Sequence, residues 1–203
     1  MKKANAPILQ LLRLTAKSEK DFENRLALAV HRQSTSPGFI ASLEASVMAK
    51  PHDWLALVAW ADGENAHRAM AEWFETDYFQ DFSDSVAEVE AHKYYRAPHD
   101  IRERLADLVY ARFLWIEQLA LEQQGDEAEV LLRRRRDMLQ STDGFSGTFT
   151  FTDPETPGFV ALVSGWAKGP AMRRARDTIE AHPSPSVVKT SDDFLRLTSN
   201  NVY

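Results

Sequence analysis

The chain has 203 residues, of which 44% are hydrophobic and 27% are charged, so it is long and apolar enough to bury a core. Its net charge is −6 and both halves carry more acidic than basic residues, which argues against a nucleic-acid or anionic-membrane surface. The absence of cysteine excludes disulfides and thiolate chemistry, and no apolar run approaches membrane-spanning length. We therefore expect a cytoplasmic protein with no nucleic-acid or membrane partner.

The first half of the chain predicts elements in the order β-α-β-β-α-β, which is the ferredoxin-like plan. An apolar run at 8–15 is typical of a strand, and Ser18 with Asp21 three residues later predicts a helix over 18–34. The other predicted elements are strands at 39–48, 54–60 and 88–96, a helix from Asn65, and a short helical piece at 74–82.

The second half predicts the same order after a boundary at Pro98-His99-Asp100, which gives modules 1–98 and 99–203. Its predicted elements are strands at 108–116, 145–152, 159–166 and 187–197, with helices at 126–140 and 171–179. The first of these strands has an alternative, because Ile101, Leu105 and Leu108 also fit a helix that runs on from residue 100.

Landmarks in the first half recur in the second half at an offset of about one hundred residues. Phe39 follows a Gly as Phe145 does, and Trp60 ends an apolar run as Trp166 does. Such a repeat predicts two similar modules that pack on each other, with any pocket doubled or shared. The sequence therefore predicts an α+β fold in which two ferredoxin-like modules face each other.

This pattern of a first strand, an amphipathic helix, Pro37-Gly38-Phe39, a strand ending in Trp60 and a further helix resembles the antibiotic-biosynthesis monooxygenase superfamily. These are the dimeric α/β-barrel proteins. The resemblance covers 8–82 and, more loosely, 130–179. It implies that the two halves form a pseudo-dimeric barrel within one chain, while a further homodimer is left open. The same fold hosts oxygenases, haem degraders, cyclases, isomerases and proteins of no known activity.

The resemblance transfers only some functional residues. Cofactor-independent oxygenases of this family use an Asn on the first strand, where this chain has Gln10, and a Trp at the end of the third, which matches Trp60. A second Asn of some members falls on Ala56. Haem-degrading members need an axial His at a position that falls near Phe82, so the resemblance implies no haem.

A cofactor-free oxygenase needs an aromatic cavity, and a polar group that favours the ionised form of a phenolic substrate. Strict alternation predicts that Glu90, His92, Tyr94 and Arg96 share one strand face, which would supply a base and a guanidinium if that face lines the barrel. The candidate catalytic residues are His92, Tyr94 and Arg96. The candidate substrate-binding residues are Gln10, Trp60 and Trp166. The alternative is that both Trp residues are core and that His92 and Arg96 lie on a solvated edge.

Other polar features predict no site. The six His have no spacing typical of a metal site, and His31 and His67 lie on helices that we expect to face solvent. The run Arg133–Arg136 fits the solvated face of a helix end, and no Gly-rich phosphate loop is present.

We therefore predict a small-molecule enzyme of secondary metabolism without cofactor or metal, most like a cofactor-independent monooxygenase that oxidises an aromatic polyketide-like substrate with O₂. The expected partner is a small aromatic or apolar ligand. A non-catalytic binding or regulatory module, and a cyclase or isomerase, are the alternatives. We expect the working cavity in the first module's share of the barrel, because the position of His92 corresponds in the second module to Asp192 or a neighbour, with Arg112 and Trp115 on the first strand.

Overall fold

The computed structural model describes residues 6–122, 125–183 and 186–202. The first half contains β1 (Ile8–Ala16), α1 (Phe22–Gln33), β2 (Phe39–Val47), β3 (Asp53–Trp60), α2 (Gly63–Phe74), α3 (Asp77–Ser85) and β4 (Val86–Arg96). After α4 (Ile101–Asp107), the second half contains β5 (Phe113–Leu121), α5 (Asp126–Gln140), β6 (Phe145–Thr152), β7 (Phe159–Trp166), α6 (Gly169–Ala181) and β8 (Val187–Val202). No helix among these residues is both long and apolar enough to cross a bilayer.

The strands form one closed antiparallel barrel in the order β1-β3-β2-β8-β5-β7-β6-β4. Each half contributes four neighbouring strands, with its helices between them in the β-α-β-β-α-β order. The predicted fold, two ferredoxin-like modules in an intramolecular barrel, is therefore confirmed.

Alternation along the strands separates an interior face from a helix-covered outer face. In β1, Leu9 packs inside the barrel with Leu57 and Tyr95, in a core that both modules share. Its neighbour Leu12 faces outward and packs with Trp60 beneath the helices of the first module. The second module has its own outer core. In the part of the chain that the structure describes, these are three apolar cores, and only the innermost contains residues of both modules.

The two seams between the modules are built differently. Along one seam β2 pairs with the second half of β8, from Ala41 opposite Val202 to Val47 opposite Leu195. Along the other seam, the described residues pair β4 with β6 only at Arg96 and Thr152. The reason lies in the sequence, because β8 continues past its own module whereas β4 ends just before Pro98, which cannot donate to a ladder.

The helix α4 follows β4 and packs against the interior core. Its buried residues Leu105 and, just after it, Leu108 belong to the interior core, and it packs chiefly on β6 with further contacts to β2 and β8. A Cβ at Gly147 would lie 2.7 Å from the Asp107 Cβ, and one at Gly165 would collide with Leu108. Glycine at these two strand positions therefore lets the linker helix close this end of the barrel.

Several predicted boundaries are corrected. The strand predicted at 108–116 is Phe113–Leu121, because residues before it form α4, which is the alternative that the apolar spacing allowed. The first helix begins at Phe22 rather than 18, since Ser18 accepts a hydrogen bond from the Lys20 N–H instead of capping the helix. The last strand continues from 197 to Val202, because its extension pairs with β2.

Candidate functional site

A chain of polar side chains crosses from the buried outer core of the first module to its surface. The indole Nε1–H of Trp60 donates to Gln10 Oε1 at 3.0 Å. The Gln10 Nε2 lies 3.0 Å from His92 Nε2, and the Tyr94 hydroxyl lies 3.2 Å from the same nitrogen. Trp60 and Gln10 are completely buried, whereas Tyr94 is half-buried and His92 is exposed. This chain of hydrogen bonds therefore connects the completely buried Trp60 and Gln10 to His92, whose side chain a ligand can reach.

Donor and acceptor roles along this chain follow from its buried end. An indole nitrogen can only donate, so the Gln10 oxygen must be the acceptor and the Gln10 nitrogen must be the donor. His92 Nε2 must then carry a lone pair, which places the proton of a neutral ring on Nδ1. The Tyr94 hydroxyl donates to the same lone pair. The arrangement holds His92 as a neutral imidazole whose Nε2 is a proton acceptor.

The electrostatics of the site support the neutral form of His92. Partial burial lowers the pKa of His92, and repulsion from nearby His67 lowers it further. Burial raises the pKa of Tyr94, which keeps its hydroxyl protonated as a donor. The His67 ring meets the Tyr94 ring edge-on, with the centroids 5.0 Å apart.

The local backbone determines which side chains share this site. A β-bulge in β4, between the pairs Arg13–Ala91 and Leu14–Val89, breaks the strict alternation. Glu90 is therefore turned into the barrel, where its carboxylate lies 2.8 Å from Arg13 Nε, while His92 stays opposite the outward-facing Leu12. The expectation that Glu90 and His92 share a face is wrong. The face that carries His92 is the outer face of the sheet, on the side of the helices, and does not line the barrel.

The structure brings together four of the six predicted site residues. Arg96 lies on β4 at the seam with β6, is exposed, and takes no part in the chain of hydrogen bonds. Trp166 is buried in the outer core of the second module, where its Nε1–H donates to Ser164 Oγ at 3.0 Å. Trp60 and Trp166 lie in different outer cores on either side of the barrel, so they cannot form two walls of one cavity.

The residue that sequence reasoning missed is His67, which we expected to be only a surface residue. It is exposed, but it lies near the start of α2, where Asp62 caps the helix by accepting a hydrogen bond from the Asn65 N–H. This cap fixes the first turn just after the strand that ends in Trp60. The sequence signal for His67 was its short separation from Trp60, because a helix that starts so soon after the strand must lie over the same edge of the sheet.

Strand register shows what the second module has at the equivalent positions. Phe113 lies opposite Trp166 as Ile8 lies opposite Trp60, so Gln10 corresponds to Trp115. On the last strand of each module, His92 corresponds to Asp192 and Tyr94 to Phe194. Trp115 is completely buried, stacks on Phe194 and donates to Asp192 at 3.3 Å. Aromatic rings and a carboxylate therefore replace the amide and the imidazole.

Two buried carboxylates lie outside this polar chain. Glu117 is 1% exposed and accepts hydrogen bonds from Arg135, at 3.1 Å from its Nε, so one residue of the arginine run is not simply solvated. Glu44 is also 1% exposed, at the seam of β2 and β8, with Ser42, Ser199 and Asn201 facing it. Burial raises the pKa of each of these glutamates above its usual range.

Five cavities of 350–470 Å³ lie on or in the described part of the molecule. None of the five is lined by Gln10, Trp60, His92 or Tyr94. The cavity that reaches the barrel interior has a volume of about 350 Å³ and is lined by Arg13, among other residues. Within residues 6–122, 125–183 and 186–202, no three metal-ligating side chains converge in a way that could hold a metal ion.

Comparisons with solved structures connect this fold to other proteins. An anthrone oxidase-like protein superposes with a TM-score of 0.61 at 15% identity, over 98% of this chain and 94% of that one. A protein assigned as a monooxygenase from Lactobacillus acidophilus NCFM gives 0.59 at 13%, over 98% and 97%. The chain shares their fold over its whole described length. No family model and no curated protein matches the sequence.

A haem-binding protein from Thermus thermophilus has the same fold, with a TM-score of 0.62 at 10% identity over 96% of this chain and 92% of that one. The residues of this chain do not fit a haem. Phe82 is packed against the rings of Phe22 and Trp73. In the second module Trp115 and Trp166 fill the space between the sheet and the helices.

Proposed function

We propose that the protein is a small-molecule enzyme that uses His92 as a general base on an aromatic or enolisable substrate. The observation that carries this proposal is the hydrogen-bond chain in which Trp60 orients Gln10 and Gln10 leaves His92 Nε2 as an acceptor. A neutral imidazole with a lowered pKa at an accessible position is suited to take a proton near neutral pH.

The proton transfer assigns a role to each member of the site. His92 Nε2 removes an acidic C–H or O–H proton from the substrate when the exposed ring turns its lone pair from the Gln10 N–H to the substrate, and the Tyr94 hydroxyl donates to the developing oxyanion. Gln10 and Trp60 act as positioning residues, since they are completely buried and reach the substrate only through His92. His67 forms one side of the site against the Tyr94 ring.

The favoured reaction after proton transfer is oxidation of the substrate anion by O₂, as in a cofactor-independent monooxygenase. The anion of an activated ring CH₂ group adds O₂ and takes up a proton to give a hydroperoxide. Loss of water then leaves a ring carbonyl, so one O₂ is consumed and one H₂O is released for each CH₂ converted to C=O. His92 can return its proton to the departing oxygen. The fold shared with an anthrone oxidase-like protein supports this choice.

A second candidate, an isomerase or cyclase that moves the proton without consuming O₂, is favoured by the exposure of His92, which lines none of the five cavities described above. Reactive anions that meet O₂ selectively are usually held where water is excluded. The same open geometry would also permit non-catalytic ligand binding.

Anthrone is a suitable test substrate because its central CH₂ is acidic and its oxidation product, anthraquinone, absorbs differently. We expect O₂ uptake and anthraquinone formation above the spontaneous rate, with a loss of about 100-fold in His92→Gln. The matched control is Asp192→Asn at the equivalent position of the second module, which should keep full activity. Deuterium exchange at the CH₂ without O₂ uptake would select the isomerase alternative. Equal activity of His92→Gln and the unmodified protein would refute the proposal.

A further inference from the structure

The cavity inside the barrel lies at the end opposite α4. Inward-facing residues of both modules form its apolar floor, including Leu11, Leu55, Ile116 and Phe159. It is also lined by Ala91 on β4 and by Thr156 in the turn after β6, which lie on the two sides of one seam. Among the described residues β4 and β6 pair along this seam only at Arg96 and Thr152, so the incomplete ladder leaves a way into the interior.

The polar groups of this cavity are arranged in two diagonals related by the repeat. Arg13 on β1 reaches across the lumen to Asp193 on β8, with contacts of 2.8 and 3.2 Å. Register places Lys93 at the position equivalent to Asp193, since these lie opposite Leu11 and Ile116 respectively. By the same register Gln118 corresponds to Arg13. The second diagonal therefore carries Lys93 and Gln118.

The two diagonals differ in whether their polar groups are already paired with other protein groups. Both oxygens of Asp193 accept from Arg13, and Glu90 lies against the same guanidinium, so the cation of the first diagonal is already paired within the protein. The side chains of Lys93 and Gln118 both line the cavity, and neither makes a side-chain hydrogen bond or ion pair with the described protein atoms. The exposed Lys93 and the half-buried Gln118 thus offer two hydrogen-bond donors to the lumen above its apolar floor.

We propose that this lumen is a second ligand site, separate from the His92 site, for a neutral aromatic ketone, quinone or phenol. Tyr95 and Phe151, whose ring centroids are 4.7 Å apart, give the flat ring an aromatic wall. Lys93 and Gln118 donate to its oxygen, as Arg13 donates to Asp193 on the other diagonal. Three carboxylates against two cations line the cavity, which disfavours an anion. Its volume, about 350 Å³, suits a ligand of two or three fused rings.

The test uses prodan, a neutral naphthalene ketone whose fluorescence shifts to the blue in apolar surroundings. We expect saturable binding with one site per chain. Lys93→Met removes a charged donor but keeps the apolar stem, and should weaken binding about tenfold. Ala161→Phe, on the cavity wall, should abolish binding by filling the lumen. The matched control Lys20→Met removes an exposed lysine elsewhere, and His92→Gln removes the other site, so neither should change affinity by more than about twofold.

Circular dichroism and thermal unfolding show whether each variant retains the fold, and Lys93→Met decides the question if Ala161→Phe does not fold. Absence of saturable prodan binding would overturn the inference, as would binding that Lys93→Met leaves unchanged. Binding lost in His92→Gln but kept in Lys93→Met would place the probe in the other site and would also refute it. Tighter binding of anilinonaphthalene sulfonate than of prodan at the Lys93 site would refute the preference for a neutral ligand.

Discussion

Replacing Trp60 by Phe tests the hydrogen-bond chain at its buried end. The change keeps an aromatic ring against Phe39, whose centroid is 5.7 Å from that of the indole, but removes the indole N–H that donates to Gln10 Oε1. The Gln10 amide can then rotate and present its oxygen to His92. A protonated His92 would gain a hydrogen bond that the native arrangement denies it, so we expect the pKa of His92 to rise.

The cost in stability follows from burial. Trp60 and Gln10 are both 0% exposed, so the freed Gln10 oxygen cannot be solvated without rearrangement, which costs about 1–3 kcal/mol. Loss of the second ring leaves a small void worth about 1 kcal/mol more. We expect the free energy of unfolding to fall by about 2–4 kcal/mol in Trp60→Phe.

Urea unfolding followed by circular dichroism gives the stability change, and NMR titration of the His92 ring gives its pKa, with the resonance assigned by its absence in His92→Gln. The matched control is Trp166→Phe, which removes the equivalent hydrogen bond to Ser164 in the second module. It should cost a similar free energy but leave the pKa of His92 unchanged. The reasoning is refuted if both variants leave that pKa unchanged, or if Trp60→Phe is as stable as the unmodified protein.

Four further predictions concern stability. Gly165→Ala should lower the midpoint of thermal unfolding, at a cost of about 1–3 kcal/mol, because its Cβ meets Leu108; Gly125→Ala, where nothing lies within 4 Å, shows the cost of backbone strain alone. Arg135→Met should cost about 3–5 kcal/mol in urea unfolding by leaving Glu117 buried without its cation, and little change would argue that Glu117 is neutral in the fold. The raised pKa of Glu44 means that the folded protein binds a proton at Glu44 more readily than the unfolded chain does. The free energy of unfolding should therefore fall as pH rises above about 4.3, where Glu44 of the unfolded chain ionises. Glu44→Gln should stabilise the protein by about 1 kcal/mol at pH 7 and by less near pH 4. The lowered pKa of His92 has the opposite sign, because the unfolded chain binds the proton more readily, and stability should fall as pH drops below about 6.5; His92→Gln should flatten this slope.

The fold could be predicted from the sequence because its landmarks depend on local chemistry. Apolar runs of strand length, the Gly turns before Phe39 and Phe145, and the aromatic ends at Trp60 and Trp166 gave the order of elements in both halves. The segment after Pro98 could not be resolved, since Leu105 and Leu108 suit a helix or a strand equally well. The decision came from tertiary packing against Gly147 and Gly165, which a single sequence does not reveal.

The site could be predicted only in part. Gln10, Trp60, His92 and Tyr94 were chosen from strand positions, and the structure places them within one chain of hydrogen bonds, although their roles remain predictions. The opposite faces of Glu90 and His92 could not be predicted, because the bulge at Glu90 changes the alternation and bulges have no reliable sequence signal. Arg13 and Asp193 are 180 residues apart in the sequence and meet only because the barrel closes, so no local sequence pattern predicts their pairing.

Joining both modules in one polypeptide has a consequence for how the protein can change. In a barrel made of two identical chains, every substitution appears twice, so a residue useful on one sheet must be tolerated on the other. Here His92 faces the helices in one module while Asp192 takes the same place in the other, and Lys93 stands where its counterpart is Asp193. Each position can therefore be selected separately. One module of a fused chain can therefore keep residues for chemistry while the other keeps residues that only stabilise the barrel, which a symmetric dimer could not do.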